Sequence, residues 1–239
     1  MSTTQAAASG NPVEPQYQYK KVLAGPDFTV ALSQTGTLWA WGNNDFGQLG
    51  DGTTEPSVVP VRVSIPGDPV IVDFGVSTGS DYQKYFVVAL DEDGHVWHWG
   101  RYPALSEPAG DFPSPVKVTD AGGTELSGIQ AIAVGGSFAY ALTFDNRVYS
   151  WGVDYNGELG QGTGSGYAFA DAGFVVDESA DPLQHVVQIA AGRTFGLALT
   201  EDGTVYAWGS NKEGQLARDG SITSSNHAVD IPALGQADA

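Results

Sequence analysis

Short apolar runs of strand length recur along the chain, separated by glycine- and aspartate-rich breaks, and four of the runs are near-copies of one another. They are Val22–Leu32, Gly79–Leu90, Ile132–Leu142 and Ile189–Leu199, and each ends in Ala-Leu. Nine residues beyond that leucine stands the tryptophan of a Trp-Gly pair every time: Leu32 and Trp41, Leu90 and Trp99, Leu142 and Trp151, Leu199 and Trp208. The tryptophans themselves are 58, 52 and 57 residues apart, so insertions fall outside an invariant unit. Regular self-similarity on this scale is the mark of a repeat architecture.

Within the unit, a pair suited to a tight turn sits midway: Thr35-Gly36, Asp93-Gly94, Asp145-Asn146 and Asp202-Gly203. Glycine and asparagine tolerate positive φ, so each unit is predicted to be a β-hairpin with a two-residue turn. The second arm alternates, as in Thr37-Leu38-Trp39-Ala40-Trp41, which places aromatics two apart on one packing face. Three repeats continue as Gly42–Gly50, Gly152–Gly160 and Gly209–Leu216. A Pro/Val strand follows at residues 59–63 and 114–118, with an echo at 228–232. About four short strands per repeat is the content of a propeller blade, and glycine leaves little room for helical periodicity.

The string Ala-Gly-x-x-Phe-x-x-Ala-Leu, then Asp-Gly-Thr-Val-Tyr-Ala-Trp-Gly, then Asn-x-x-Gly-Gln-Leu-Gly resembles the repeat of the regulator-of-chromosome-condensation family over roughly residues 18–234. The resemblance implies an all-β, RCC1-like β-propeller, seven-bladed as a rule. Its members include an exchange factor for a small GTPase, a secreted β-lactamase inhibitor and many interaction modules. The expected organisation is an N-terminal arm (1–15), a propeller domain (16–235, with repeats at 18–70, 71–126, 127–183 and 184–235) and a tail (236–239).

Three departures stand out. The family's usual histidine is phenylalanine at Phe28, Phe86, Phe138 and Phe195, which makes that position purely apolar. The second repeat has Arg101–Gly110 in place of Gly-Gln-Leu-Gly, which predicts a remodelled loop. The repeats number four. An arc of four leaves a blade face and a strand edge open, and an open edge is a template for association. A tight four-bladed ring, self-association or a protein partner would each cover it, and association is the favoured expectation.

Charge and composition narrow the function. Ten Lys+Arg against 28 Asp+Glu leave a net charge of −18, which opposes nucleic acid and anionic membranes. With no cysteine, thiolate chemistry and disulfides are excluded. No apolar stretch approaches the roughly 20 residues that span a bilayer, and Met1–Asn11 reads as a polar arm rather than a signal peptide. A soluble, cytoplasmic or virion-associated chain is the expectation.

Candidate chemistry is sparse. His95 and His98 fall on opposite faces of a strand, which argues against joint zinc ligation, and both read as partly exposed; His185 and His227 stand apart. Asp91-Glu92-Asp93-Gly94 reads as a turn rather than a calcium loop, and Gly160–Gly166, without a following Lys-Ser or Lys-Thr, as a mobile loop rather than a phosphate cradle. No catalytic residue, metal or cofactor is expected. The candidates for binding are aromatics on variable loops: Tyr82, Tyr85, Tyr102, Phe112, Tyr155, Tyr167, Phe169 and Phe174. They suit either a binding rim on a rigid scaffold or local plugs under their own loops. The reading is a non-enzymatic interaction or structural module, such as a subunit of a virion or appendage. GTPase regulation and inhibition of a secreted enzyme are the competing readings.

Overall fold

The computed structural model describes residues 18–77, 85–101, 111–162 and 166–232. They form four four-stranded antiparallel sheets, each from strands consecutive in sequence. The first blade holds β1 (Tyr19–Ala24), β2 (Phe28–Ser33), β3 (Leu38–Gly42) and β4 (Ser57–Arg62). The second holds β5 (Ile71–Val76), β6 (Tyr85–Asp91), β7 (Val96–Arg101) and β8 (Asp111–Lys117). In the third are β9 (Ile129–Val134), β10 (Phe138–Thr143), β11 (Val148–Asp154) and β12 (Gly166–Phe174). The fourth comprises β13 (Val186–Ala191), β14 (Phe195–Thr200), β15 (Val205–Ser210) and β16 (Ser224–Asp230). First strands of neighbouring blades touch one another, so they line the axis and the last strands form the rim.

The hairpins close through three residues rather than two. Ser33 N–H bonds the Thr37 carbonyl, Gly36 N–H bonds the Ser33 carbonyl, and only Gly36 of the turn pair has positive φ (+82°). Gly94, Asn146 and Gly203 repeat this at φ +81°, +63° and +87°. This is a type I turn followed by a left-handed residue, which restores the twist of the strands. The residue before each turn caps it: Ser33 Oγ, Asp91 Oδ1 and Thr143 Oγ1 accept the N–H of Thr37, His95 and Arg147 at 2.8–3.0 Å. Asp91 also accepts the Trp97 indole N–H at 2.8 Å, so the acidic run at 91–94 is a turn fastened to its own strand.

Both faces of an inner blade pack, not one. The face of the first blade that carries Phe28, Val30 and Leu32 meets Phe74, Ala89 and Trp97 of the second. Phe86, Val88 and Leu90 meet Ala139, Ala141 and Trp151, and Phe138, Tyr140 and Leu142 meet Ala198 and Trp208. Large side chains of one blade thus fill against the alanines and tryptophan of the next, which is why Ala-Leu alternates with Trp at fixed spacing. These three clusters join the blades in series, and among the described residues none joins the fourth blade to the first. The sheets are an arc, not a closed ring.

The repeated phenylalanine lies over the glycine three residues before it. A Cβ on Gly25, Gly135 or Gly192 would sit 2.0–2.3 Å from the ring of Phe28, Phe138 or Phe195. In the second blade Ser77, not Gly79, takes the corresponding place, its N–H bonding the Phe86 carbonyl. The rim edges of the first two blades are blunted: Pro60 interrupts β4, and Pro113 and Pro115 interrupt β8, removing donors a docking strand would need. His98 departs from its expected partial exposure. It is buried, packs on Phe112 with ring centres 5.5 Å apart, and burial lowers its pKa to about 4.

Candidate functional site

Two ends of the arc carry its loops. At one end lie the β2–β3 turn and its three equivalents, joined by the connections between blades: Glu92, Phe144 and Glu201 N–H bond the carbonyls of Val70, Gly128 and His185. This end is acidic. Glu92, Asp93, Asp145, Glu201 and Asp202 sit on the turns, while Arg62, Lys117 and Arg147 are each held by an acid, Asp68, Glu125 and Asp145. Arg147, with help from the Thr143 hydroxyl, holds the Asp145 carboxyl below its ordinary range, and the Thr200 hydroxyl does the same for Asp202. These carboxylates remain charged near neutrality and fasten turns. Phe144 protrudes among them, 71% exposed, where the other repeats have Gln34, Glu92 and Glu201. Comparing the four turns position by position is the signal that singles it out.

The opposite end carries the Gly-Gln-Leu-Gly loops, which have a definite geometry. Gln48 closes its own loop, its Oε1 accepting the Phe46 N–H at 2.9 Å, and Leu49 is driven into the core. The Gln48 carbonyl then accepts the indole N–H of Trp99 from the next blade at 3.0 Å. In the third blade the Glu158 carbonyl accepts from Trp208, also at 3.0 Å, and the same indole N–H reaches the Tyr140 hydroxyl at 3.0 Å. The last glycine of each loop is the floor of this seat. A Cβ on Gly50 would stand 2.6 Å from Trp99 Nε1, and one on Gly160 2.8 Å from Trp208 Cδ1. Gly160 is thus fixed against an indole rather than mobile; residues 163–165 of that loop lie outside the described residues. The sequence shows the motif three times but not that its partner is the tryptophan of the following repeat.

The loop aromatics whose side chains are described lie at both ends of the arc. Tyr85 stacks on Phe46 with ring centres 5.2 Å apart and reaches Asp27 at 3.3 Å, and the Arg101 guanidinium lies 4.5 Å from the Phe46 ring centre. Phe112 lies at the same end on β8, opposite Gly100, and Tyr155 is exposed just beyond β11. Phe174 is at the other end, stacked on Tyr149 at 4.2 Å beneath Arg147. Tyr167 and Phe169 fall on β12, with side chains outside the described residues, as are Tyr82 and Tyr102 altogether. Phe46, part of the Tyr85 stack, was hidden because it belongs to the repeat motif itself.

Among the described residues, two blade faces have no neighbouring blade packed on them. On the first blade Val22, Ala31 and Trp39 stand in one row with Trp41 beside them, and Val22 is 60% exposed where the equivalent Phe74 is 1% exposed. On the fourth blade Leu197, Leu199 and Val205 are only half-buried and line a shallow cavity of about 170 Å³. No helix is long and apolar enough to cross a membrane, and no group of three or more metal-ligating side chains occurs among the described residues.

Comparison with known proteins agrees with this geometry. The pattern described as regulator of chromosome condensation (RCC1) repeat matches residues 19–48, 129–158 and 186–215 in one form and 35–82 and 202–235 in another, together more than half of the chain. The mouse (Mus musculus) E3 ubiquitin-protein ligase HERC2 is 33% identical over 200 residues, covering 81% of this chain and 4% of that protein. The Arabidopsis thaliana ultraviolet-B receptor UVR8 is 30% identical over 205 residues, 82% of this chain and 42% of the receptor. In structure, the arc resembles yeast RCC1 (Prp20) bound to Kap60, with TM-score 0.70 at 22% identity over 90% of this chain and 49% of that one. It also resembles human WBSCR16, with TM-score 0.69 at 21% identity over 90% of this chain and 53% of that one. The chain spans about half the length of these solved structures, and less of the two curated relatives. With its blades built on that repeat and its tryptophans seated between them, the chain belongs to the regulator of chromosome condensation (RCC1) repeat family.

Proposed function

We propose that this chain is a non-enzymatic protein-interaction module, working as a structural subunit of a larger assembly such as a virion or appendage. The observation that carries the reading is the open first-blade face: Val22 and Trp41 occupy positions that in every later blade are covered by a preceding one. An apolar sheet face of this kind gains stability by being covered, at about 25 cal/mol per Å² of apolar surface removed from water. The acidic turn end adds a preference for basic partner surfaces by charge complementarity. Solved structures of the yeast relative concern its complex with Kap60 and its binding to Gsp1p and histones, which supports a binding role for the fold.

The test is site-specific photo-cross-linking in the native source. A photoreactive residue at position 22 is expected to give a discrete adduct, and one at position 58, on the rim and 97% exposed, is not. A GTPase or a secreted hydrolase as the adduct would favour the competing readings over an assembly subunit. Absence of any adduct from position 22 would refute the proposal.

A further inference from the structure

The internal blade contacts define what each open end accepts. A blade donates a tryptophan on one face, and on the other it offers a loop whose glycines admit the next tryptophan. The two seats that lie among the described residues have glycine at two places: Gly50 and Gly52 in the first blade, Gly160 and Gly162 in the third. The first of each pair lies against the indole. The second has φ of +90° or +71°, and its N–H bonds the next blade, Gly52 to the Pro113 carbonyl at 2.9 Å and Gly162 to the Asn226 carbonyl at 2.7 Å.

In the fourth blade these places hold Ala217 and Asp219. Ala217 keeps the left-handed backbone (φ +49°), so its Cβ is carried where an added Cβ on Gly50 meets Trp99 at 2.6 Å. Side-chain atoms essentially never approach so closely, and overpacking of this kind destabilises an interface as it does a core. Asp219 is not among the positive-φ residues, and its carboxylate accepts the Ser221 N–H at 2.8 Å, turning that loop back on its own blade. Among the described residues the tryptophan-donating face of the first blade, with Trp41 and the 60% exposed Val22, has no such obstruction.

We infer that the two ends differ in kind. The first blade docks onto a blade of this repeat with glycine at both seat positions. The fourth blade is closed to the first blade of a second copy by Ala217 and Asp219. This rests on the interaction-module reading and names the chemistry of the partner: a Gly-x-Leu-Gly-x-Gly loop whose carbonyl receives the Trp41 indole.

Rebuilding the seat supplies the probe. The full chain, Ala217→Gly/Asp219→Gly, and the same double variant with Trp41→Ala are compared by size-exclusion chromatography with light scattering over a concentration series. The wild type is expected to keep the monomer mass of 25.0 kDa, the double variant to shift to twice that mass, and the triple variant to return to the monomer. Trp41-dependent association of the wild type would overturn the closed end. A double variant that stays monomeric, or that associates regardless of Trp41, would overturn the seat as the docking device. Cross-linking from position 22 is independent of residues 217 and 219. A negative result there beside a positive one here refutes the function while leaving the seat intact, and the reverse refutes only the seat.

Discussion

If the tryptophan seat governs how blades adhere, substituting its floor must cost more than the backbone strain of placing alanine at positive φ. Gly160 and Gly203 separate the two effects. Gly203 has φ +87° with nothing within 4 Å of an added Cβ, so Gly203→Ala measures conformational strain alone, about 1–2 kcal/mol. Gly160 has φ +62°, and its Cβ would meet Trp208 Cδ1, Cγ and Nε1 at 2.8, 3.0 and 3.1 Å. Trp208 is fully buried between the third and fourth blades and its indole N–H is committed to the Glu158 carbonyl, so the ring has little freedom to retreat. Forcing it outward adds an overpacking penalty of about 1–3 kcal/mol. Gly160→Ala is therefore expected to lose about 2–5 kcal/mol in all. At about 2–4 °C per kcal/mol for a chain of this size, its melting temperature should fall on the order of 2–12 °C further than that of Gly203→Ala. Thermal unfolding followed by circular dichroism, with tryptophan fluorescence as a second probe, measures the difference. Equal losses in the two variants would refute the claim that the loop glycine exists to seat the indole.

Three further outcomes follow from the same geometry. Burial raises the Asp154 carboxyl pKa, with the Glu158 charge adding to it, whereas the equivalent Asn44 and Asn211 use amide donors to hold backbone carbonyls of their own loops. The folded state thus binds the proton more tightly, and stability falls as pH rises from the ordinary Asp value through the raised one. Asp154→Asn should remove that slope and add about 1 kcal/mol at neutral pH, read as an upward shift in urea midpoint. Buried His98 has the opposite sign. Its pKa is lowered from 6.5 to about 4, so the unfolded chain alone takes up the proton and stability is lost as pH falls through that window. The loss should approach roughly 3 kcal/mol by pH 4, and His98→Leu should flatten that part of the profile. Tyr140→Phe removes a buried hydroxyl that donates to the Glu158 carbonyl and accepts from Trp208. About 1–2 kcal/mol of stability should go with it, together with a change in Trp208 fluorescence.

Much of this molecule was written in the order of its residues. The Leu32-to-Trp41 spacing and its three copies specify hairpins because strand alternation and turn chemistry are local: a glycine or asparagine at the left-handed position and β-branched residues on either side act within a few residues of one another. The four-stranded blade follows from the same local rules. Where the local reading slipped, the cause was geometric. The hairpin turn needed one more residue to match the strand twist, and Ser77 replaced Gly79 because the segment after it is an insertion.

Tertiary structure alone decided which surfaces meet. Trp99 and Gln48 are 51 residues apart, and Trp208 and Glu158 are 50 apart, so nothing in the periodicity of one repeat shows that its tryptophan is received by the loop of the repeat before it. The loop aromatics show a related limit: Tyr85 and Phe174 look alike in sequence, yet strand pairing within their blades, opposite Arg101 and Tyr149, places them at opposite ends of the arc. The open ends depend on it too. Val22 and Phe74 occupy the same place in the repeat, and only the presence or absence of a neighbouring blade makes one exposed and the other core. Repetition prescribes the blade because its determinants are local, whereas what a blade touches is set by stacking, in which each face is completed by residues some fifty positions away.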